Sequence, residues 1–477
     1  MDSINLQFHL ERIAFRAIST LPLYLLAGTM LFLFAQAVAA VPQAAPQQEP
    51  EALARAFVEE LAAGKFDQGA ARFDERMAQA MPAQKLAETW QAVQGQAGAF
   101  QKILGTSRND AQGYLIVLVT CQFAATPLNV RVVFDAAGRI AGLFFAPVQP
   151  PAPPWSPAAS VKPDSFEERD VTVGEAPWAL PGKLTVPKGA GPFPAVVLVH
   201  GSGPNDEDET IGANKPFKDL AWGLASRGIA VLRYLKRTRQ YPQQMAALLG
   251  ITVKVEAVDD AVLAAALLAK QPGIDPKRIY VAGHSLGATL APRIAVADKS
   301  IAGIIVMAGI TRPLEDVVVE QVKYLSNLDG KVTEAEQKQI DAADQFAREV
   351  RSPELSATQQ LNMLGAKVPG SYFLDLRNYH AGEVAATLKI PILVLQGERD
   401  YQVRAADFEG WKKALAGKKN AEPKSYPALN HLFITGSGPS SPAEYARPGH
   451  VADEVIQDIA DWIVAGRKKS DSPPPNK

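Results

Sequence analysis

The feature that restricts this chain most is the pentapeptide Gly283-His284-Ser285-Leu286-Gly287, together with what stands on either side of it. Before it, Arg278-Ile279-Tyr280-Val281-Ala282 reads as a strand, and from Ala288 onward the sequence is compatible with a helix. A strand that turns sharply into a helix around a serine needs residues without side chains at the crowded positions, and the hydroxyl then projects above the strand's end. Alone, G-x-S-x-G is a weak signal because chance matches are common. Its strand-to-helix setting makes Ser285 a candidate nucleophile; the competing reading is a serine in a tight turn with no chemistry.

The surroundings of the pentapeptide carry a wider pattern. Strand-like runs at Ala195–Val199, Ala230–Tyr234, Arg278–Ala282, Ile301–Met307 and Ile390–Leu395 alternate with helical patterns such as Val255–Lys270. That alternation predicts βαβ units and a mostly parallel sheet. The runs are apolar throughout, as strands are when both sheet faces are covered. The interval from about Arg312 to Lys389 breaks the rhythm with charged helical segments such as Thr333–Arg351. It reads as a helical cap inserted after a sheet strand, with ordinary surface helices as the alternative.

A serine hydroxyl needs an adjacent base, and the base needs an orienting acid. In the order serine, acid, histidine, the acid is sought on a later strand. Asp400 closes the run Ile390-Pro391-Ile392-Leu393-Val394-Leu395-Gln396-Gly397-Glu398-Arg399-Asp400, which leaves it at the carboxyl edge of the sheet. Glu398 competes for the role. Two histidines lie beyond Asp400: His431, in a short loop after Lys424-Ser425-Tyr426, and His450, just before the last amphipathic helix. His431 is the candidate base, and His450 reads as a helix-start or surface residue. His284 lies beside the nucleophile and is expected to point away from it, whereas His380 falls in the inserted interval, either lining a pocket or exposed.

Acyl transfer also requires donors for the developing oxyanion. The backbone N–H of Leu286 opens the helix after the serine and is one candidate. The loop after the strand Val196-Val197-Leu198-Val199, namely His200-Gly201-Ser202-Gly203, supplies the other through the Ser202 N–H. His200 reads as a brace for that loop. Without nearby histidines, the acidic run Asp206–Glu209 reads as solvated or loop-bracing, not as a metal site. Lys236-Arg237-Thr238-Arg239 reads as a solvated face, with anionic-substrate steering as the alternative.

Composition narrows the remaining possibilities. With 49 Lys and Arg against 50 Asp and Glu, the formal charge is −1, and no basic field invites nucleic acid. Cys121 is the single cysteine, so an intramolecular disulfide and a cysteine-based metal cluster are excluded; it reads as a small apolar core residue. Arg12 and Arg16 precede an uncharged, largely apolar stretch from Ala17 to Ala40 that ends in Ala37-Val38-Ala39-Ala40. This matches an export signal ending in small residues, though its length also suits an uncleaved membrane anchor. Either way the rest of the chain is expected outside the cytoplasm, periplasmic or secreted, with residues 17–40 as a membrane tether if uncleaved.

Residues 41–50 read as a linker. A first domain at 51–147 opens with helical spacing (Leu53, Phe57, Val58, Leu61, then Leu86, Trp90, Val93) and continues with strand-like Tyr114–Phe123, Leu128–Phe134 and Ile140–Phe145. It is expected to be a small α+β domain without catalytic groups, serving gating, self-association or docking. A proline-rich linker spans 148–165, the catalytic domain 166–467 and a disordered tail 468–477.

At this point the chain resembles bacterial α/β-hydrolase esterases of the dienelactone-hydrolase-like group that carry an accessory domain ahead of the catalytic one. The resemblance rests on His200-Gly201-Ser202-Gly203-Pro204-Asn205-Asp206, Asp208-Glu209-Thr210, Asn214-Lys215-Pro216-Phe217-Lys218-Asp219-Leu220-Ala221-Trp222 and Gly283-His284-Ser285-Leu286-Gly287. It covers about residues 166–467, and 51–147 looks like the group's poorly characterised accessory domain. It implies an α/β-hydrolase fold and cofactor-free hydrolysis of small carboxylic esters. One departure is Leu235, where such proteins usually place aspartate between Tyr234 and Lys236; loop packing near Arg237 is where its effect is expected. A peptidase or acyltransferase using the same three residues is the alternative enzyme, and a binding module on a retired scaffold the non-enzymatic one.

Overall fold

The computed structural model describes residues 49–111, 114–135, 137–148, 155–248 and 250–470, so the stretch read as an export signal or anchor and residues 471–477 lie outside it. The chain divides into two compact units at residue 151. In the first, four helices from Pro50–Ala62 to Ala83–Ala97 accompany an antiparallel sheet of β1 (Phe100–Ala111), β2 (Tyr114–Phe123), β3 (Pro127–Phe134) and β4 (Ile140–Pro147). Phe57, Leu61, Leu86 and Trp90 on the helices and Val117, Val119, Cys121, Val130 and Val132 on the sheet form one apolar core. Period-2 alternation points one face of β2 and β3 into it. The helix Pro50–Ala62 takes in the end of the stretch read as a linker, because Pro50 suits a first helical turn. β1 escaped sequence reading: Lys102, Thr106, Ser107 and Arg108 dilute its apolar signal, and antiparallel pairing to β2 creates the strand.

The second unit is built on an eight-stranded sheet in the order β14-β13-β10-β9-β7-β8-β6-β5. Its strands are β5 (Phe166–Val173), β6 (Leu180–Pro187), β7 (Phe193–Val199), β8 (Ala230–Tyr234), β9 (Ile274–His284), β10 (Gly303–Met307), β13 (Ile392–Gly397) and β14 (Ala421–Tyr426). From β8 through β14 the strands are parallel, whereas β6 pairs antiparallel with both β5 and β8. Every residue of β8, β10 and β13 is buried, which explains their unalternating apolar sequences. Along β7 alternate residues serve the two faces. Val197 and Val199 join the helices Asp259–Leu268 and Leu286–Ala297, while Val196 and Leu198 join Pro216–Ala225 and Asp453–Ser470.

Between β10 and β13 lie the helices Leu314–Ser326, Glu334–Arg351, Gly370–Arg377 and Ala381–Thr387, with a hairpin of β11 (Gln360–Met363) and β12 (Ala366–Pro369). The hairpin was not foreseen from the sequence. Thr333 and Glu336 close a capping box at the start of the longest of these helices. The inserted segment packs beside the helix that follows Ser285: Tyr379 Oη donates to Thr289 O at 2.7 Å, and Arg293 pairs with Asp375 at 2.8 Å.

Parts of the stretches read as a proline-rich linker and as a disordered tail carry structure. From Trp155 the proline-rich stretch belongs to the second unit by contact: Trp155 Nε1 donates to Asp219 at 3.1 Å, and its ring packs edge-on against Trp222. At the other end, the final helix runs on to Ser470. Among the described residues no helix is long and apolar enough to cross a membrane.

Candidate active site

Ser285 sits at φ 54° and ψ −115° between β9 and the helix Leu286–Ala297. A non-glycine residue there is strained, and such strain persists only where the surroundings impose it. Ser285 N donates to Met307 O at 2.9 Å, tying the turn to β10. A Cβ at Gly287 would overlap the carbonyls of Val199 and His200, and one at Gly283 would overlap Gly287. The spacing of the two glycines is thus a packing requirement. Ser285 is half-buried, whereas its neighbours His284 and Leu286 are buried. Leu286 opens the helix, so its N–H has no partner within it.

Asp400 follows β13 and His431 follows β14, both at the sheet edge where β9 delivers Ser285. His431 Nδ1 and Asp400 Oδ2 are 2.7 Å apart. The same carboxylate accepts from Gln402 N at 2.8 Å, Val403 N at 2.9 Å and Gln396 Nε2 at 3.2 Å. Three contacts therefore fix the acid's orientation before it orients the imidazole. Glu398, the competing acid, is exposed and accepts from Ser425 Oγ. The His431 loop is held by Asn430 Oδ1, which accepts from Leu432 N and Ile434 N.

The loop after β7 approaches Ser285 closely: a Cβ on Gly201 would stand 3.0 Å from Ser285 Cβ. Gly201 is held on both sides. Its N–H donates to Glu209 Oε1 at 2.6 Å, and its carbonyl accepts from Lys236 Nζ at 2.8 Å and Asn205 Nδ2 at 3.2 Å. Ser202, the next residue, is exposed. His200 Nε2 lies 2.9 Å from Asp206 O, the bracing contact expected of it, and burial pulls its pKa down to about 4.

One pair that ties these loops together leaves no mark in the local sequence. His284 Nδ1 lies 2.9 Å from Glu209 Oε2, and His284 Nε2 lies 2.9 Å from His431 O. Both side chains are buried. Burial opposes the charge on each. Mutual attraction overcomes it, raising the His284 pKa and lowering that of Glu209, which also accepts from Gly201 N–H. His284 thus joins the elbow, the Gly201 loop and the His431 loop. Glu209 has φ 50°, a second strained non-glycine residue in the site.

The basic cluster is corrected by the structure. Lys236 and Arg237 are buried, not a solvated face: Lys236 pairs with Glu256 at 3.0 Å and Arg237 with Asp260. Of the acidic run, Asp208 pairs with Arg233 and Lys215, so bracing prevails over solvation. His450 Nδ1 contacts Asp219 at 2.9 Å near the start of the last helix. His380 is exposed. Leu235 is half-buried and its N–H donates to Pro181 O at 2.8 Å, a backbone contact open to any residue with an N–H. A depression of about 560 Å³ bordered by Lys323, Tyr324 and Arg404 lies on the inserted helix and includes none of Ser285, Asp400 and His431.

An open, mostly parallel sheet with a strained serine at a strand–helix turn and an acid–histidine pair at the same edge defines an α/β hydrolase. The chain belongs to the α/β-hydrolase family, whose model matches residues 196–447. A model of a family of unknown function, DUF3887, matches residues 54–143 in the first unit. Over 408 residues the chain is 41% identical to "Esterase EstD" of Thermotoga maritima, covering 86% of this chain and 94% of that one. Among solved structures it is similar to Est1E from Butyrivibrio proteoclasticus, at 15% identity, 63% and 99% coverage and a TM-score of 0.41. It is also similar to an esterase of Pyrobaculum calidifontis, at 18% identity, 64% and 87% coverage and a TM-score of 0.41.

Proposed function

We propose that the protein is an exported carboxylesterase that cleaves small acyl esters with Ser285 as nucleophile, His431 as base and Asp400 as its orienting acid. The observation that carries this reading is the 2.7 Å contact between His431 Nδ1 and Asp400, at the sheet edge shared with the strained Ser285. The esterase named among its relatives supports the ester as substrate class.

In the first step His431 Nε2 takes the Ser285 proton as Oγ bonds to the ester carbonyl carbon. The carbonyl oxygen becomes an oxyanion, received by the N–H groups of Leu286 and Ser202, each worth roughly 3 kcal/mol in the transition state. The imidazolium, stabilised by Asp400, then protonates the departing alkoxide as the C–O bond breaks. Water, deprotonated by His431, hydrolyses the acyl-enzyme and returns Ser285. The inserted segment at 312–389 acts as a cap over the acyl pocket. Its anchoring on the helix after Ser285, through Tyr379 and Asp375, supports that role. Export rests on Arg12, Arg16 and the apolar run to Ala40.

The test uses a fluorophosphonate and a series of nitrophenyl esters of rising chain length. Wild-type labelling and turnover of short esters, both lost in Ser285→Ala, are expected. Full ester turnover by Ser285→Ala would reject the mechanism. Preferential turnover of aminoacyl amides would favour a peptidase with the same three residues.

A further inference from the structure

Gly201 C=O and Ser202 N–H belong to one peptide unit. Among the described residues the cis peptides are Ala176-Pro177 and Gly191-Pro192, so this unit is trans and its C=O and N–H point in opposite directions. Whatever holds the carbonyl therefore aims the N–H. Lys236 Nζ holds it at 2.8 Å from within the protein, and Asn205 adds a longer contact at 3.2 Å.

Lys236 comes at a cost, because its side chain is only 3% exposed. A buried ammonium needs a counter-charge and satisfied donors. Glu256 supplies the charge at 3.0 Å, and Tyr372 Oη, from the inserted segment, donates to the other Glu256 oxygen at 3.1 Å. A neutral side chain would fill the same volume more cheaply. What a cation adds is polarisation: a positive charge against the carbonyl draws electron density through the amide and makes its N–H a stronger donor.

Resting on the esterase reading above, we propose that Lys236 is a positioning residue for the oxyanion site, aiming and polarising the Ser202 N–H through the Gly201 carbonyl. It touches neither substrate nor Ser285. Its contribution appears only when a tetrahedral oxyanion forms, because the ground-state carbonyl places less charge on the donor.

A trifluoromethyl ketone reads that state directly. Ser285 Oγ bonds to the ketone carbon, the proton passes to His431, and the carbonyl oxygen becomes a stable oxyanion in the site. Lys236→Met and the paired Lys236→Met/Glu256→Gln, which leaves no buried charge alone, are compared with wild type. Nitrophenyl acetate kinetics, ketone inhibition and thermal unfolding are measured on each. In a folded variant kcat is expected to fall about 10- to 100-fold and the inhibition constant to rise by a similar factor, with KM within about threefold. Values of kcat and inhibition both within about threefold of wild type would overturn the proposal. So would a fall in kcat with ketone affinity unchanged, or failure of both variants to fold, which would assign Lys236 to folding. Ester turnover surviving in Ser285→Ala would reject the parent mechanism instead.

Discussion

Glu209 and His284 face each other at 2.9 Å beneath the Ser285 turn, both buried, and their mutual attraction draws each toward its charged form. The pair stabilises the fold over a defined pH interval. Because the folded pKa of His284 is raised, its contribution is complete below the unfolded value and is lost as pH rises through the folded one. Because that of Glu209 is lowered, its contribution is complete above the unfolded value and is lost as pH falls through the folded one.

Replacing Glu209 by Gln is therefore expected to lower stability most between those limits, by up to roughly 3–5 kcal/mol, the scale for one member of a buried pair. The alkaline decline that His284 imposes on the wild type should flatten in the variant. Unfolding midpoints measured from pH 5 to 9 check both; an unchanged pH profile would remove the ion pair from the account.

Asp400→Asn should lower kcat by about 10³- to 10⁴-fold with little loss of stability, since the acid fixes the tautomer of His431. Glu398→Gln, whose side chain accepts from Ser425 Oγ outside the site, should stay within about twofold of wild type. Steady-state kinetics on one nitrophenyl ester separate the two acids. Equal losses would mean that the order of roles along β13 is wrong.

Gly287→Ala should be among the most damaging single-methyl changes in the chain. The added carbon overlaps two main-chain carbonyls, Val199 O and His200 O, neither of which can move without shifting β7. A loss above about 4 kcal/mol is expected, beyond the ordinary range for point mutations. Chemical denaturation of the purified variant measures it, and a midpoint near wild type would contradict the packing.

Cys121 lies fully buried in the first unit, and burial pushes its thiol up to about 12. It should resist a thiol reagent at pH 8 in the native protein and react once that unit opens. Labelling against denaturant thus reports the first unit alone. Rapid modification under native conditions would show that β2 is not packed as described.

Much of the catalytic unit is legible in the sequence because its strands are buried on both faces. Ala230–Tyr234 has the same bounds in sequence and structure, as does Tyr114–Phe123 in the first unit, which its β-branched and aromatic residues announce. β5 and β6 are not legible in that way: Glu167, Glu168, Arg169 and Asp170 give β5 a polar run, and only pairing with β6 makes it a strand. Ser285, Asp400 and His431 stand out through motif and order. Burial of Lys236 and Arg237 does not, since their partners Glu256 and Asp260 are remote in the chain and nothing local announces the pairing. Glu209 is hidden for the same reason, being one carboxylate in an acidic run until the fold sets it against His284.

The two outer strands of the large sheet have a further consequence. β5 exposes Glu167 and Asp170, and β14 carries Glu422, Pro423 and Lys424. A proline cannot donate to a neighbouring strand, and charged rims repel or misalign an incoming one. Both margins of the sheet thus disfavour the addition of a ninth strand from another molecule.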